Sequence, residues 1–448
     1  MKTFLYLILS LFLFPVLNSR GDTRPNVILI LADDMGLGDI SLFNGGKTNT
    51  PRLDALIKES AYFEKAYAGS AVCAPSRAAL FTGRYPHRTG CVTLNPRKFP
   101  EMTRIKLDET TLADRFSKNG YTTGLIGKWH SGTGENYHPL KRGFHEFAGF
   151  SESWDIKTYF NYRLDVQGEY RDYTDNYLTN DLTDRAIDFV RRHQQKPFFL
   201  HLAHYAPHRP LSAPENLIKK YTEKGFNEKT ATIYAMIEMM DTGIGKLIDE
   251  LDTLELRENT LIIFSSDNGP DPLPGERYNL NARGAKYTVY EGGIHVPFLM
   301  NWKGTIKPER RPEIIQFTDV FPTLMELCHL APNPPAKPLD GVSFAGLISS
   351  QFEAPELPHY RFWQWNRATP IYSHNAAIRE NQWKLIRPFI TPNIPKEDSS
   401  EASTLYDLDK DPSESQDLAT EYPEIRQRLE EKLKQISSEV ESSRNRQE

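Results

Sequence analysis

From Val27 to Ala32 the chain is apolar without alternation, the pattern of a strand buried on both faces as in a parallel sheet. The run breaks off in Asp33-Asp34-Met35-Gly36. Two further runs behave alike: Thr260 to Ser266 ends in Asp267-Asn268-Gly269, and Pro197 to Ala203 leads into His204 through Pro210. Between them, apolar residues recur at helical spacing over Pro51 to Ser60, Thr111 to Asn119, Leu178 to His193 and Lys229 to Leu254. Strands alternating with helices predict an α/β fold with a large mixed, mainly parallel sheet sandwiched by helices. Ligands of such sheets bind beyond the carboxyl ends of the strands, so the three polar clusters are expected to share one cleft. The Tyr-rich stretch from Ser151 to Tyr177 lacks a clear period and reads as an elaborated loop or insertion.

The pattern changes near Ala331, where Pro332-Asn333-Pro334-Pro335-Ala336-Lys337-Pro338 reads as a connector. Short strands are predicted over Tyr360 to Trp365, Ala376 to Arg379 and Trp383 to Arg387. A terminal helix opened by Pro423 carries Ile425, Leu429, Leu433, Ile436 and Val440 on one stripe. At the other end, Lys2 and the apolar run Phe4 to Leu17 form a secretory signal peptide, too short to span a bilayer. No cysteine follows it, so a lipid anchor is not expected. The expected division is 1–22 leader, 23–335 catalytic domain, and 336–448 a smaller subdomain of antiparallel sheet plus helix. A periplasmic or secreted location without a stable membrane anchor follows.

Composition narrows the chemistry. The 448 residues carry 54 Lys plus Arg against 59 Asp plus Glu, a net charge of −5, with no basic stripe of the kind a nucleic-acid binder shows. Any anionic substrate must therefore meet local cations. Three cysteines, Cys73, Cys91 and Cys328, are too few for a disulfide scaffold, and their odd number leaves at least one unpaired. Asp33, Asp34, Asp267 and Asn268 offer hard oxygen donors and suit Ca²⁺ or Mg²⁺ better than zinc. Taken singly, Asp-Asp-x-Gly and Asp-Asn-Gly are turn or cap sequences. At the ends of two buried strands they become a candidate metal site.

The segment Cys73-Ala74-Pro75-Ser76-Arg77-Ala78-Ala79-Leu80-Phe81-Thr82-Gly83 resembles the cysteine-type sulfatase signature of the alkaline phosphatase superfamily. Further segments resemble the same family in order: Asp33-Asp34-Met35-Gly36, Gly127-Lys128-Trp129-His130, Ala206-Pro207-His208-Arg209-Pro210, Ser266-Asp267-Asn268-Gly269, Lys286 through Gly293, and Leu405-Tyr406-Asp407-Leu408 before Asp411-Pro412. The resemblance implies oxidation of Cys73 to formylglycine by a maturation enzyme. It also implies one Ca²⁺ held by Asp33, Asp34, Asp267, Asn268 and residue 73, and a sulfated carbohydrate substrate. The class it points to most closely is that of secreted bacterial polysaccharide sulfatases, marine algal ones included.

A sulfate ester joins an anionic SO₃ group to a poor leaving group, so its hydrolysis needs cations, an in-line nucleophile and a proton donor. Arg77, Lys128 and Lys286 are the candidate cations. By the same resemblance, hydrated formylglycine attacks sulfur with one of its hydroxyls, and loss of the second hydroxyl's proton then expels sulfate; His130 is the candidate base. His208 is the candidate acid for the leaving alcohol, with His204 read as a pocket residue and His201 as a core histidine. Lys128 and His130, two apart, share a face if the segment is extended. Two departures from the family pattern, Ser131 and His295, are expected to reshape the pocket. Trp154, Tyr159, Tyr162, Trp363 and Trp365 either pack in the core or stack on sugar rings. The competing readings are a phosphate or phosphonate ester hydrolase of the same superfamily and a catalytically silent glycan-binding protein.

Overall fold

A computed structural model describes residues 24–150, 156–275, 277–331, 337–368, 370–390 and 397–445. The leader, Trp154 and most of the proline-rich connector, 332–336, lie outside the described residues.

The larger sheet takes its strands in the order β11 (Glu309–Gln316), β2 (Ala61–Tyr67), β10 (Phe298–Asn301), β9 (Thr260–Ser266), β1 (Asn26–Ala32), β8 (Phe198–Ala203), β3 (Thr122–Lys128), β4 (Glu146–Phe150), β6 (Asn161–Val166) and β5 (Ile156–Thr158), with β7 (Glu169–Thr174) also pairing to β6. Its centre is parallel: β1 pairs with β8 and β9, and β3 with β8 and β4. Alternate residues of β1 enter different cores, Ile28 and Ile30 on one face, Val27, Leu29 and Leu31 on the other. That two-sided burial is why the strand reads as a continuous apolar run. One face is covered by the helices Leu178–His193 and Glu228–Thr253, the other by Cys73–Thr82, Leu112–Lys118 and Val320–Leu327.

Only β10 runs against its neighbours in the middle of the sheet, antiparallel to both β9 and β2. The end of β9 and the start of β10 therefore share the carboxyl edge, and the 267–297 segment between them is delivered to the cleft. The loops after β1, β3 and β8 emerge at the same edge.

The stretch read as an elaborated loop or insertion, Ser151 to Tyr177, adds β5, β6 and β7 to the sheet over its described residues. The strands are short, and β7 is almost wholly exposed, so no apolar alternation marks it. Their hairpin turns at Gln167-Gly168, both with positive φ.

A second sheet, all antiparallel, orders β12 (Arg361–Gln364), β13 (Ala376–Glu380), β14 (Trp383–Arg387) and β15 (Thr404–Asp407). One face, with Trp363, Ala377, Ile386 and Tyr406, packs on Tyr67, Val289 and Ile294 of the larger body. The other, with Phe362, Ile378 and Leu385, takes Leu429, Leu433 and Val440 of the helix Pro423–Asn445. Lys384 ties the two bodies together, 2.8 Å from both Glu291 Oε1 and Glu414 Oε1 in a buried ion triad. Leu433 is fully buried, so Leu433→Ala is expected to cost about 2–5 kcal/mol in urea unfolding. The specific activity of the molecules that remain folded should be unchanged.

Candidate active site

The helix Cys73–Thr82 begins where the chain leaves β2 and brings Cys73 to the carboxyl edge of the sheet. Pro75 lies in its first turn, where a missing N–H costs nothing, and Ser76 Oγ accepts from the Gly69 N–H at 3.1 Å, binding the preceding turn to it. Gly83 ends the helix with φ +67°, its N–H returning to the Ala79 carbonyl at 2.9 Å. The signature segment thus builds a buried helix as well as carrying reactive groups.

Asp33, Asp34, Cys73, Arg77, Lys128, His208, Asp267, Asn268 and Lys286 meet in one cluster, and His130 interacts electrostatically with Lys128, Arg77, Asp33 and His208. Cys73 Sγ is 3.3 Å from Asp33 Oδ1 and 3.9 Å from Asp34 Oδ1. Lys128 Nζ donates to Asp33 Oδ2, and Lys286 Nζ lies 2.8 Å from Asp34 Oδ2. Arg77 donates from Nε to Asp267 Oδ2 at 2.9 Å and from Nη1 to the Lys128 carbonyl at 2.9 Å, joining the ends of β9 and β3. Asn268 Nδ2 donates to Asp34 Oδ1 at 2.7 Å, which leaves Asn268 Oδ1 buried with no hydrogen-bond partner among the described residues. Asp33, Asp34, Cys73 and His208 present ligand atoms within 4.8 Å of one another. His208 was expected as an acid alone; its Nε2 sits 3.7 Å from Asp34 Oδ2.

These groups are almost wholly removed from water, with Asp33, Asp34, Arg77, Asp267 and Asn268 at 0% exposure. Burial alone would raise the Asp33 carboxyl, but Lys128, His208, Arg77 and Lys286 together hold it well below the usual range. Asp267 is pushed up to about 6 by burial and by Asp33, despite Arg77. Burial, then Asp267 and Asp33, push the Cys73 thiol well up, so an unmodified cysteine here is a neutral hydrogen-bond donor. Burial and the Lys128 and Arg77 charges keep the His130 ring neutral.

Three carboxylates and one orphaned amide oxygen converge from the ends of two strands, a donor set that fits a hard divalent cation. Two further side chains support this set, of which Ser266 lies in a segment the sequence singled out and Arg277 carries no signal in the sequence pattern. Arg277 donates to the Asp34 carbonyl at 3.0 Å and pairs with Asp39. Ser266 Oγ accepts from the Met35 N–H and donates to the Asn268 carbonyl, each at 2.9 Å. The glycines of the Lys286 segment have a steric reason: a Cβ on Gly293 would collide with the Thr288 and Ala285 carbonyls.

Other expectations resolve differently. His130 adopts φ +52°, so the Lys128–His130 segment is not extended at its end. Its ring nonetheless feels Lys128, Arg77, Asp33 and His208. His201 is buried on β8 with Nδ1 at 3.1 Å from the Leu29 carbonyl, and His204 is buried just beyond. His295 does not shape the cleft: it meets the Glu64 carbonyl at 2.8 Å and stacks on Tyr67 beside the second sheet. Ser131 is buried against the Trp129 carbonyl. Tyr159, Tyr162, Trp363 and Trp365 are buried and pack in the interior rather than facing a ligand. Cys73, Cys91 and Cys328 are all free thiols.

Comparison with known proteins agrees with this arrangement. Residues 25–330 match the Sulfatase family, and residues 284–439 match the family described as N-sulphoglucosamine sulphohydrolase, C-terminal. The chain is 27% identical to an N-acetylgalactosamine-6-O-sulfatase of Bacteroides thetaiotaomicron, over 94% of each chain. It is 29% identical to human arylsulfatase A, over 90% of this chain and 86% of that one. The crystal structure of Ps i-CgsB superposes with a TM-score of 0.80 at 29% identity, covering 92% of this chain and 93% of the other. The same protein has been solved in complex with k-i-k-neocarrahexaose, with a TM-score of 0.79. With the family match spanning the whole larger sheet and its polar cluster, this chain belongs to the sulfatase family.

Proposed function

We propose that the chain removes sulfate from a sulfated carbohydrate, using Cys73 oxidised to formylglycine and a Ca²⁺ held by Asp33, Asp34, Asp267, Asn268 and residue 73. The observation that carries this reading is the meeting of Cys73 with three buried carboxylates and three buried cations at one strand edge. When present, the cation supplies Lewis acidity and the hydrated aldehyde supplies the nucleophilic oxygen. Arg77 holds Asp267 and the Lys128 carbonyl in register. Lys128 and Lys286 turn from the carboxylates to the oxygens of the sulfate group. His130, neutral and buried at Nδ1, takes a proton from residue 73. His208 donates its Nδ1–H to the Arg209 carbonyl at 2.7 Å, so Nε2, facing the cluster, protonates the departing alcohol only from the doubly protonated ring, a form that burial disfavours and the Asp33 and Asp34 charges favour.

The carbohydrate assignment draws support from relatives named for N-acetylgalactosamine-6-sulfate esters and from the carrageenan-oligosaccharide complex. The leader, a periplasmic or secreted location, the maturation enzyme and the 23–335 and 336–448 domain division belong to the same proposal. Sulfate release from at least one member of a panel of sulfated glycans tests it; release from none, with phosphate freed from an aryl phosphate faster than sulfate from the matching aryl sulfate, would favour the phosphatase alternative. The same panel tests His208. His208→Asn is expected to lower turnover by roughly 10²–10⁴-fold on sugar sulfates, whose alkoxide needs a proton. It should lower it far less on 4-nitrophenyl sulfate, whose phenolate leaves unaided. Equal losses on both esters would remove His208 from the acid role.

A further inference from the structure

Next to Lys286 in the chain, Tyr287 is half-buried, with its ring 5.7 Å from that of Trp365. Three cationic side chains surround it. Lys286 Nζ is 5.6 Å from the ring centroid and the Arg367 guanidinium carbon 5.7 Å. Arg209 Nη2 is 3.5 Å from the hydroxyl. Lys286 already serves Asp34, and Arg209 is fixed through Nε by Asp271 at 2.9 Å. Arg367 is exposed, and no carboxylate among the described residues pairs with it.

We propose that Arg367 and Arg209 form a subsite for a second anionic group, a sulfate or a carboxylate, carried by the substrate beyond the ester that is cleaved. The proposal rests on the sulfatase reading and narrows its substrate class to multiply anionic glycans. Both guanidinium groups meet Tyr287, and the same ring lies 5.6 Å from Lys286 Nζ, which is itself 2.8 Å from Asp34 Oδ2, so the pair is linked to the reactive cluster through one ring. The Tyr287 face holds Arg367 by cation–π contact, which lowers the entropy lost when it engages an anion. A guanidinium binds either group through two parallel hydrogen bonds, which the cluster's ammonium groups do not. On a chain of net charge −5, a polyanion approaching the cleft needs such local compensation.

The test is calorimetric titration of the calcium-loaded full chain carrying Cys73→Ala, so that turnover does not intervene. Three disaccharide probes are used: neutral monosulfated, disulfated, and monosulfated with a uronic acid. At least one doubly anionic probe is expected to bind roughly tenfold or more tightly than the neutral monosulfated one. Adding Arg367→Ala should erase most of that gain while leaving the neutral probe within about twofold. Gain with the disulfated probe alone assigns the subsite to sulfate, and gain with the uronate probe alone assigns it to carboxylate. Equal affinity for all three probes overturns the proposal, as does a uniform loss across them on Arg367→Ala; Arg209→Gln should reproduce the selective loss in a second variant. Failure of the sulfatase reading shows separately, as absence of sulfate release by the Cys73 protein from the glycan panel.

Discussion

Cys73→Ala is expected to lower sulfate release by roughly 10⁴-fold or more with the fold intact, the size of loss that accompanies removal of a covalent nucleophile. The reason lies in the environment of the thiol. It is fully buried, donates toward Asp33 and sits among carboxylates that disfavour a thiolate. A neutral thiol in such a place is a poor nucleophile, so activity must come from what the side chain becomes. Conversion of the thiol to an aldehyde lowers the residue mass by about 18 Da. Mass spectrometry of the peptide spanning residue 73 is expected to show that species in protein co-expressed with a maturation enzyme. Turnover should scale with its abundance across preparations. Full activity in protein that carries only the thiol would overturn the assignment. Small size and helical surroundings make the alanine variant a fair control, since alanine suits a helix start and the bond from the Gly69 N–H to Ser76 Oγ, which ties the preceding turn to the helix, does not involve residue 73.

Much of this site was legible because its residues sit where patterns break. Val27 to Ala32 and Thr260 to Ser266 are strands buried on both faces, so Asp33-Asp34 after the first and Asp267-Asn268 after the second are conspicuous against the apolar runs. Cys73, Pro75, Arg77 and Gly83 are legible for a second reason, because one short helix must place each of them in a fixed position. What escaped was carried by contacts between distant segments. Arg277 reads as a loop arginine, and only the folded chain shows it donating to the Asp34 carbonyl. His295 departs from the family pattern in a cleft-side motif, yet the return of the chain toward β10 turns it onto Tyr67. Of the 156–174 strands, β5 is three residues long and β7 has almost no buried residue to declare it, while β6 does alternate, with Tyr162, Leu164 and Val166 at its apolar positions, over a run too short to stand out from its polar surroundings. Spacing predicted that Lys128 and His130 share a face, but the positive φ of His130 is a tertiary outcome that spacing does not contain.

Removing divalent cations is expected to lower turnover by roughly 10³-fold, with calcium restoring it. The charge balance of the cluster explains why. Asp33, Asp34 and Asp267 are matched by Arg77, Lys128 and Lys286, so the side chains alone give an anionic ester no net attraction. Lys128 and Lys286 are each held by a carboxylate, where they neutralise the protein rather than the substrate. With a divalent cation held by the same carboxylates, the cluster would be net positive, both ammonium groups would be free for the sulfate, and the orphaned Asn268 Oδ1 would have its missing partner. Because the folded chain assembles these donors and the unfolded chain does not, calcium should also stabilise the fold, by about 2.7 kcal/mol at a hundredfold excess over its dissociation constant. Thermal unfolding of the Cys73→Ala chain with chelator and with calcium reads this without any turnover. Asn268→Ala should shift both the rate and the unfolding midpoint to higher calcium concentrations. Chelated protein that unfolds at the same temperature with and without calcium, and that hydrolyses sulfate esters at full rate with no metal detectable by elemental analysis, would leave the carboxylates as ion-pair partners of Lys128, Lys286 and Arg77 alone.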